Sequence, residues 1–184
     1  MTVATAPVNT VEDLVLKYAV TDPRVQARIE LFELYRGDDR FGTMFPFLGA
    51  GADRKAHYDA QTNLVYKYMR DRYCTPSLAV ERESLDKAHY FLASHPEFNI
   101  RYAETQFYTA SSGNEYLVQE YVPTVGQRDY ASLLPLAYRE AVAGSYGGRG
   151  KETGLSEDYI RDNVGFDKKT GMTVLTDMLY AQDV

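Results

Sequence analysis

Asp53-Arg-Lys-Ala-His-Tyr-Asp-Ala-Gln-Thr-Asn-Leu-Val-Tyr-Lys-Tyr-Met-Arg-Asp-Arg-Tyr73 is the stretch on which the fold turns. Taken at the helical period, Tyr58, Val65, Met69 and Tyr73 fall near one line, with Leu64 and Tyr68 beside it. That spacing predicts one long helix from about Asp53 to Tyr73. Thr75–Pro76 opens the next helix, which ends before Pro96. Its inner face is Leu78, Leu85, Ala88 and Leu92, and Glu83 and Lys87 form an i,i+4 ion pair in the favourable order.

Upstream, Thr10 and Asp13 begin a capped helix that stops by Thr21, ahead of a proline. Asp22–Pro23 restarts a helix, a side-chain cap followed by proline at the first helical position, and Gly37 ends it. Val25, Ile29, Phe32 and Tyr35 share one side, with Leu31 and Leu34 broadening it. Gln26, Glu30 and Glu33 form a solvated opposite face. Downstream, residues 99–110 and 115–122 flank the turn cluster Ser111-Ser-Gly-Asn114 and predict a Tyr-rich antiparallel hairpin, with a helix from Glu115 to Tyr121 as its rival. Ser132 caps a helix that carries Pro135 in its first turn and stops at Gly144. Ser156 starts a short helix closing near Gly165. Asp167 to Gly171 is a hairpin turn, and Thr176 to Val184 a helical tail.

The fold class expected from these elements is α+β: a mainly helical body, from about 10 to 95 and 132 to 165, carrying a small Tyr-rich hairpin. Residues 1–9 form a disordered arm and residues 10–184 one globular domain. No apolar run approaches the roughly 20 residues a membrane helix needs. A lone Cys74, no Asn-x-Ser/Thr site and no signal-like amino terminus point to a soluble, cytoplasmic protein.

The net charge of −6 resides in the two ends of the chain, residues 1–22 and 152–184, around a neutral middle. A neutral body lacks the Lys and Arg excess that displaces counterions from nucleic acid. The segment Tyr66-Lys-Tyr-Met-Arg-Asp-Arg-Tyr73 does interleave aromatic and basic groups, as single-strand binders do. Tyrosines facing the core with charges outside explain it better.

Catalytic and metal motifs are sparse. Asp53-x3-His57 and Asp86-x2-His89 would each align a carboxylate and an imidazole on a helix face, the low-ranking candidates for a metal site. Carboxylate bundle sites use Glu-x-x-His, which is missing, so no metal or cofactor is expected. His95–Pro96 complements a helix carboxyl end. Cys74 is a buried thiol by default and a nucleophile only with a histidine placed beside it. The loop Gly144 to Gly154 departs from the phosphate-binding pattern: Glu152 follows Gly150–Lys151 where Ser or Thr is required.

The strongest functional lead is an aperiodic segment, 37–51, bearing Phe41, Met44, Phe45, Phe47 and Leu48. Each large apolar side chain left in water forgoes roughly 1.5–3 kcal/mol, so the segment must fold onto its own core, dock on a partner or line a pocket. With 16 Tyr, 8 Phe and no Trp, the composition suits contact surfaces. The expected function is a non-catalytic interaction or assembly subunit, binding a protein partner or itself through Phe41, Met44, Phe45, Phe47 and Leu48. The alternatives are a small-molecule binder or enzyme with an aromatic pocket, and a single-strand nucleic-acid module.

Overall fold

The computed structural model describes residues 22–50, 54–69, 78–125, 130–142 and 163–176. In chain order the elements are α1 (Pro23–Tyr35), a one-turn α2 (Phe41–Met44), β1 (Phe47–Ala50), β2 (Arg54–Asp59), β3 (Leu64–Met69) and α3 (Leu78–Ser94). A 3-10 turn (Pro96–Phe98) leads to β4 (Ile100–Tyr102), β5 (Thr105–Thr109) and β6 (Glu115–Glu120). Then come α4 (Tyr130–Leu133), α5 (Leu136–Val142), β7 (Val164–Asp167) and β8 (Met172–Leu175). The body is built of strands, in a five-stranded sheet ordered β1-β2-β3-β6-β5 and a three-stranded sheet ordered β4-β8-β7. The expectation of a mainly helical body with a small hairpin is overturned. The chain still mixes helices with sheets, and no helix among the described residues is long and apolar enough to cross a membrane.

The error lies in the stretch 53–73. Its described part, 54–69, is two antiparallel strands in register from Arg54↔Met69 to Asp59↔Leu64. His57 and Asp59, then Tyr66 and Tyr68, are buried two residues apart, the period of a strand. The turn between them has neither glycine nor proline. Asp59 makes it instead, accepting from the Gln61 N–H at 3.1 Å and the Thr62 hydroxyl at 2.8 Å, while Asn63 takes the left-handed conformation at φ 57°.

The chain's contacts divide into two compact units, one made of residues up to Met69 with Thr105–Val118, the other of Arg70–Glu104 with Gln119–Val184. In the first, α1 lies on one face of the five-stranded sheet. Its start is as expected, with the Asp22 carboxylate accepting from the Arg24 N–H at 2.9 Å. Val25, Ile29 and Phe32 pack against Tyr66, Tyr68, Tyr108, Tyr116 and Val118. Phe32 is the hub, with ring centroids 4.7 Å from Phe41, 4.9 Å from Phe45 and 5.6 Å from Tyr116. Edge-on aromatic pairs of this kind add about 0.5–1.5 kcal/mol each beyond the area they bury.

Glu30 and Glu33 are not idle surface charges. Glu30 accepts from the Ser111 N–H at 2.9 Å and from its hydroxyl. Glu33 accepts from the Ser112 hydroxyl, the Asn114 amide and the Tyr116 hydroxyl. They latch α1 to the β5–β6 turn, which closes through Gly113 at φ 87°. The Tyr-rich hairpin is present, as two strands of the larger sheet, and the rival helix over 115–121 is excluded.

In the second unit β4 runs parallel to β8, and β7 antiparallel to it. The Asp167–Gly171 turn forms as expected, with Gly171 at φ 73°. Gly165 belongs to β7 and not to a helix end. Pro135 separates α4 from α5 where one helix was expected, because it has no N–H to continue the first. On α3, Lys87 and Glu83 pair at 2.8 Å. His95 Nδ1 meets the Phe91 carbonyl at 2.9 Å and its ring stacks on Phe98, the end-of-helix role its position implied. The expected elements over 1–21, 144–162 and 177–184 lie outside the described residues.

Candidate functional site

The aromatic segment 41–48 divides between two fates. Phe45 is fully buried, and Phe41 and Met44 are half-buried against the same core. Phe47 and Leu48, on β1, stay 59% and 47% exposed. His57 anchors the segment from β2. Its Nδ1 lies 2.8 Å from the Phe45 carbonyl, so that nitrogen carries the proton and donates it. Phe41, Phe47, Phe32 and Tyr68 surround the ring at centroid distances of 5.0–5.8 Å. Burial lowers its pKa below the usual value, and the charge of Lys55 adds to the effect.

Of the two Asp/His pairs, Asp86 and His89 do lie on one helix, α3, whereas His57 lies on a strand. Asp53 lies outside the described residues, and His57 sits on a strand with a ring nitrogen committed to a backbone carbonyl. Asp86 is exposed on α3, and the half-buried His89 packs edge-on to Tyr102 at 5.9 Å. Among the described residues no three His, Cys, Asp or Glu side chains are grouped to hold a metal ion. Cys74 and the 144–154 loop lie outside the described residues. Tyr66 and Tyr68 are buried beneath α1, which leaves neither as a stacking platform.

Three features went unread in the sequence. The first is at β1, the edge strand. Its pairing with β2 shifts between Phe47 and Gly49, and a Cβ at Gly49 would meet nothing within 4 Å. A glycine at a bulge with open space beside it lets another group approach the backbone closely. The second is Lys67, half-buried in the middle of β3, itself the central strand of the five. Alternation sets it on the face opposite Tyr66, Tyr68 and α1, with the buried Val65. Reading 53–73 as a helix had assigned it to solvent.

The third feature belongs to the second unit. Glu81, in the first turn of α3, is 2% exposed, a burial that carboxylates tolerate only when paired. At the open end of the β7–β8 hairpin the Thr176 N–H donates to the Asn163 carbonyl at 2.8 Å. Asn163 and Thr176 therefore mark the same end of the hairpin. Asn163 is also the sixth residue of Asp158-Tyr-Ile-Arg-Asp-Asn163. That spacing was the available sequence signal. No family model matches the chain, and no curated protein matches it significantly.

Proposed function

We propose that the protein binds a nucleoside triphosphate with a divalent cation and transfers the terminal phosphoryl group. The observation that carries this reading is Lys67, a half-buried lysine on the third and central strand of a five-stranded sheet whose first strand bears Gly49, with Gly51 following in the sequence. Protein kinases use these parts in a fixed order: a glycine-rich turn over the phosphates, a lysine on the third strand and a glutamate on the next helix. An aspartate five residues before a metal-binding asparagine follows, and then a second metal-binding aspartate. Residues of each type follow in that order here: Gly49 and Gly51, Lys67, Glu81, Asp158 and Asn163, Asp177.

Asp158 and Asp177 lie outside the described residues and enter through the sequence alone. The chain departs from the kinase pattern at Arg54, where a third glycine would stand. It departs again at Ser156–Glu157, ahead of Asp158, and at Met178–Leu179 after Asp177. The phosphate contacts therefore rest on two glycines and the lysine. In this reading Lys67 offsets phosphate charge, and Asn163 and Asp177 are, by sequence order alone, the residues that would hold the cation. An acceptor oxygen bonds to the terminal phosphorus as the bond to the departing diphosphate breaks, and Asp158 takes the acceptor's proton.

Titration calorimetry with ATP and Mg2+, and transfer of label from γ-labelled ATP to a mixed protein acceptor, test it. The expected result is binding in the wild type that Lys67→Met weakens at least tenfold, and transfer that Asp158→Asn abolishes while binding remains. A flat wild-type titration at millimolar ATP sinks the reading.

A second reading, contact with another protein through β1, has its own support. Phe47 and Leu48 are exposed apolar residues on an edge strand, and unpaired apolar edges invite strand pairing. Phe41, Met44 and Phe45 contribute to it by holding that strand in place. If Phe47→Ser with Leu48→Ser leaves self-association and partner capture unchanged, β1 is no contact surface.

A further inference from the structure

We propose, independently of either reading of function, that His57 is an acid-sensitive latch whose protonation frees residues 41–48 from the sheet and opens the aromatic core beneath them. The imidazole grips the segment from β2. Its Nδ1–H donates to the Phe45 carbonyl at 2.8 Å, and its ring meets Phe41 at 5.0 Å and Phe47 at 5.3 Å. Phe32 of α1, at 5.5 Å, and Tyr68 of β3, at 5.8 Å, close the cage, and the residue is 6% exposed. On the next residue, the Tyr58 N–H donates to the Pro46 carbonyl at 2.9 Å.

Nδ1 already carries a proton, so a second one goes to Nε2 and charges the ring inside this cage. The charged groups on the surrounding elements do not favour that cation. On α1, Arg28 lies over the Phe45 ring at 4.9 Å and Arg36 over the Tyr68 ring at 5.0 Å. On β2, Lys55 is two residues away on the same face. The carboxylates are engaged elsewhere. Asp59 holds Arg28, Glu30 accepts from Ser111, and Glu33 accepts from Tyr116 with Arg36 at 3.9 Å. In the turn before α2, Asp38 holds Arg40 and Asp39 is exposed, while Lys67 leaves β3 on the other face.

Aromatic rings offset a buried cation less than the water it gives up. Burial therefore lowers the pKa of His57 below 6.5, and the Lys55 charge adds to the effect. Once the segment lifts, the ring meets water and binds its proton at the ordinary value. The closed form keeps its full stability above about pH 6.5 and loses it progressively as pH falls toward the folded value. Helix α1 does not rely on the segment for its attachment. Arg28 ties it to Asp59, and Glu30 and Glu33 tie it to the β5–β6 turn, so the opening is local.

Amide hydrogen exchange on the full chain from pH 7 to pH 5, corrected for intrinsic rates, tests the latch in the wild type and in His57→Gln. The reporters are the Phe45 N–H, bonded to the Phe41 carbonyl, and the Tyr58 N–H, bonded to the Pro46 carbonyl. The expected wild-type result is a fall in protection of at least about fivefold at both, with the amides of α1 unchanged. In His57→Gln, which keeps a donor for the Phe45 carbonyl, both should change by less than about twofold. Unchanged reporters in the wild type overturn the proposal. An equal fall across α1 also overturns it, since His57 would then act on global stability only, as does a wild-type pH dependence that survives in His57→Gln. Should His57→Gln not fold, the wild-type contrast between the reporters and α1 decides, together with the His57 ring titration by NMR. A ring midpoint at or above 6.5 overturns the proposal.

Discussion

Arg28 and Asp59 form a two-pronged ion pair, Nε to Oδ2 at 2.9 Å and Nη2 to Oδ1 at 2.7 Å, that ties α1 to the β2–β3 turn. The Asp59 side chain is wholly buried and that of Arg28 is 13% exposed. With Glu30 and Glu33 on the β5–β6 turn, the pair fastens α1 to the turns of two hairpins of one sheet. Removing one partner of a buried pair costs about 3–5 kcal/mol, because the other charge stays buried alone. Arg28→Met should therefore lower the urea unfolding free energy at pH 7 by about 3–5 kcal/mol. A loss below about 1 kcal/mol would class the pair with exposed salt bridges.

The same pair sets an acid limit. Burial pushes the Asp59 carboxyl up, but bonds from Arg28, the Thr62 hydroxyl and the Gln61 N–H, with the Arg28 charge, bring it below its ordinary 3.8. A depressed folded value means that the unfolded chain binds the proton first. The contribution is complete above the ordinary carboxylate range and is lost as pH falls through the folded value. Unfolding free energies from pH 6 to pH 2 should fall more steeply in the wild type than in Asp59→Asn.

His57 produces a loss nearer neutrality. Its folded pKa lies below 6.5, with burial the largest cause, so protons bind the unfolded chain first. Stability is full above about pH 6.5 and declines as pH drops toward the folded value. His57→Gln, which keeps a donor for the Phe45 carbonyl, should flatten the stability profile between pH 6.5 and 5. Parallel profiles for the two proteins would show that His57 titrates alike in both states.

Phe45 and Phe47, two residues apart, should separate cleanly in urea titrations. Phe45 is fully buried, and emptying such a site costs about 3–5 kcal/mol. Phe47→Ser, at a site 59% exposed, should cost below about 1 kcal/mol. Equal costs would mean that Phe47 is covered in solution.

Gly165 tests how closely β7 meets the chain after β6. A Cβ there would lie 2.7 Å from Val122 Cγ1 and 3.0 Å from the Pro123 carbonyl oxygen. Gly165→Ala should destabilise by about 1–3 kcal/mol through overpacking. Val122→Ala should cost less in the Gly165→Ala background than in the wild type, by a double-mutant cycle in urea. Purely additive losses would place the clash elsewhere.

Elements announced by local chemistry were legible in the sequence. Asp22 caps α1, Gly113 and Gly171 close their turns, and Glu83 pairs with Lys87. Each depends on residues a few positions apart, whose geometry hardly varies with the rest of the fold. The strands over 54–69 were not legible. Six apolar or aromatic residues, at 58, 64, 65, 66, 68 and 69, satisfy a helical line as well as an alternation, and Asp59 turns the chain without glycine or proline. The same misreading put Lys67 on a helix surface, where the structure sets it in the central strand of a sheet.

The long helix first expected over Asp53–Tyr73 marks the boundary between the two kinds of information. The sequence alone established a chain without a membrane-length apolar run, with its charge at the ends, its α1 cap and its glycine turns. All of these depend on composition or on neighbours along the chain. That Phe45 is core while Phe47 faces outward, that Lys67 leaves the sheet opposite α1 and that Arg101 joins Glu120 to Asp167 followed only from the fold. Those facts require strand pairing and contacts between residues far apart in the chain, and a side chain's face flips with every one-residue change of register.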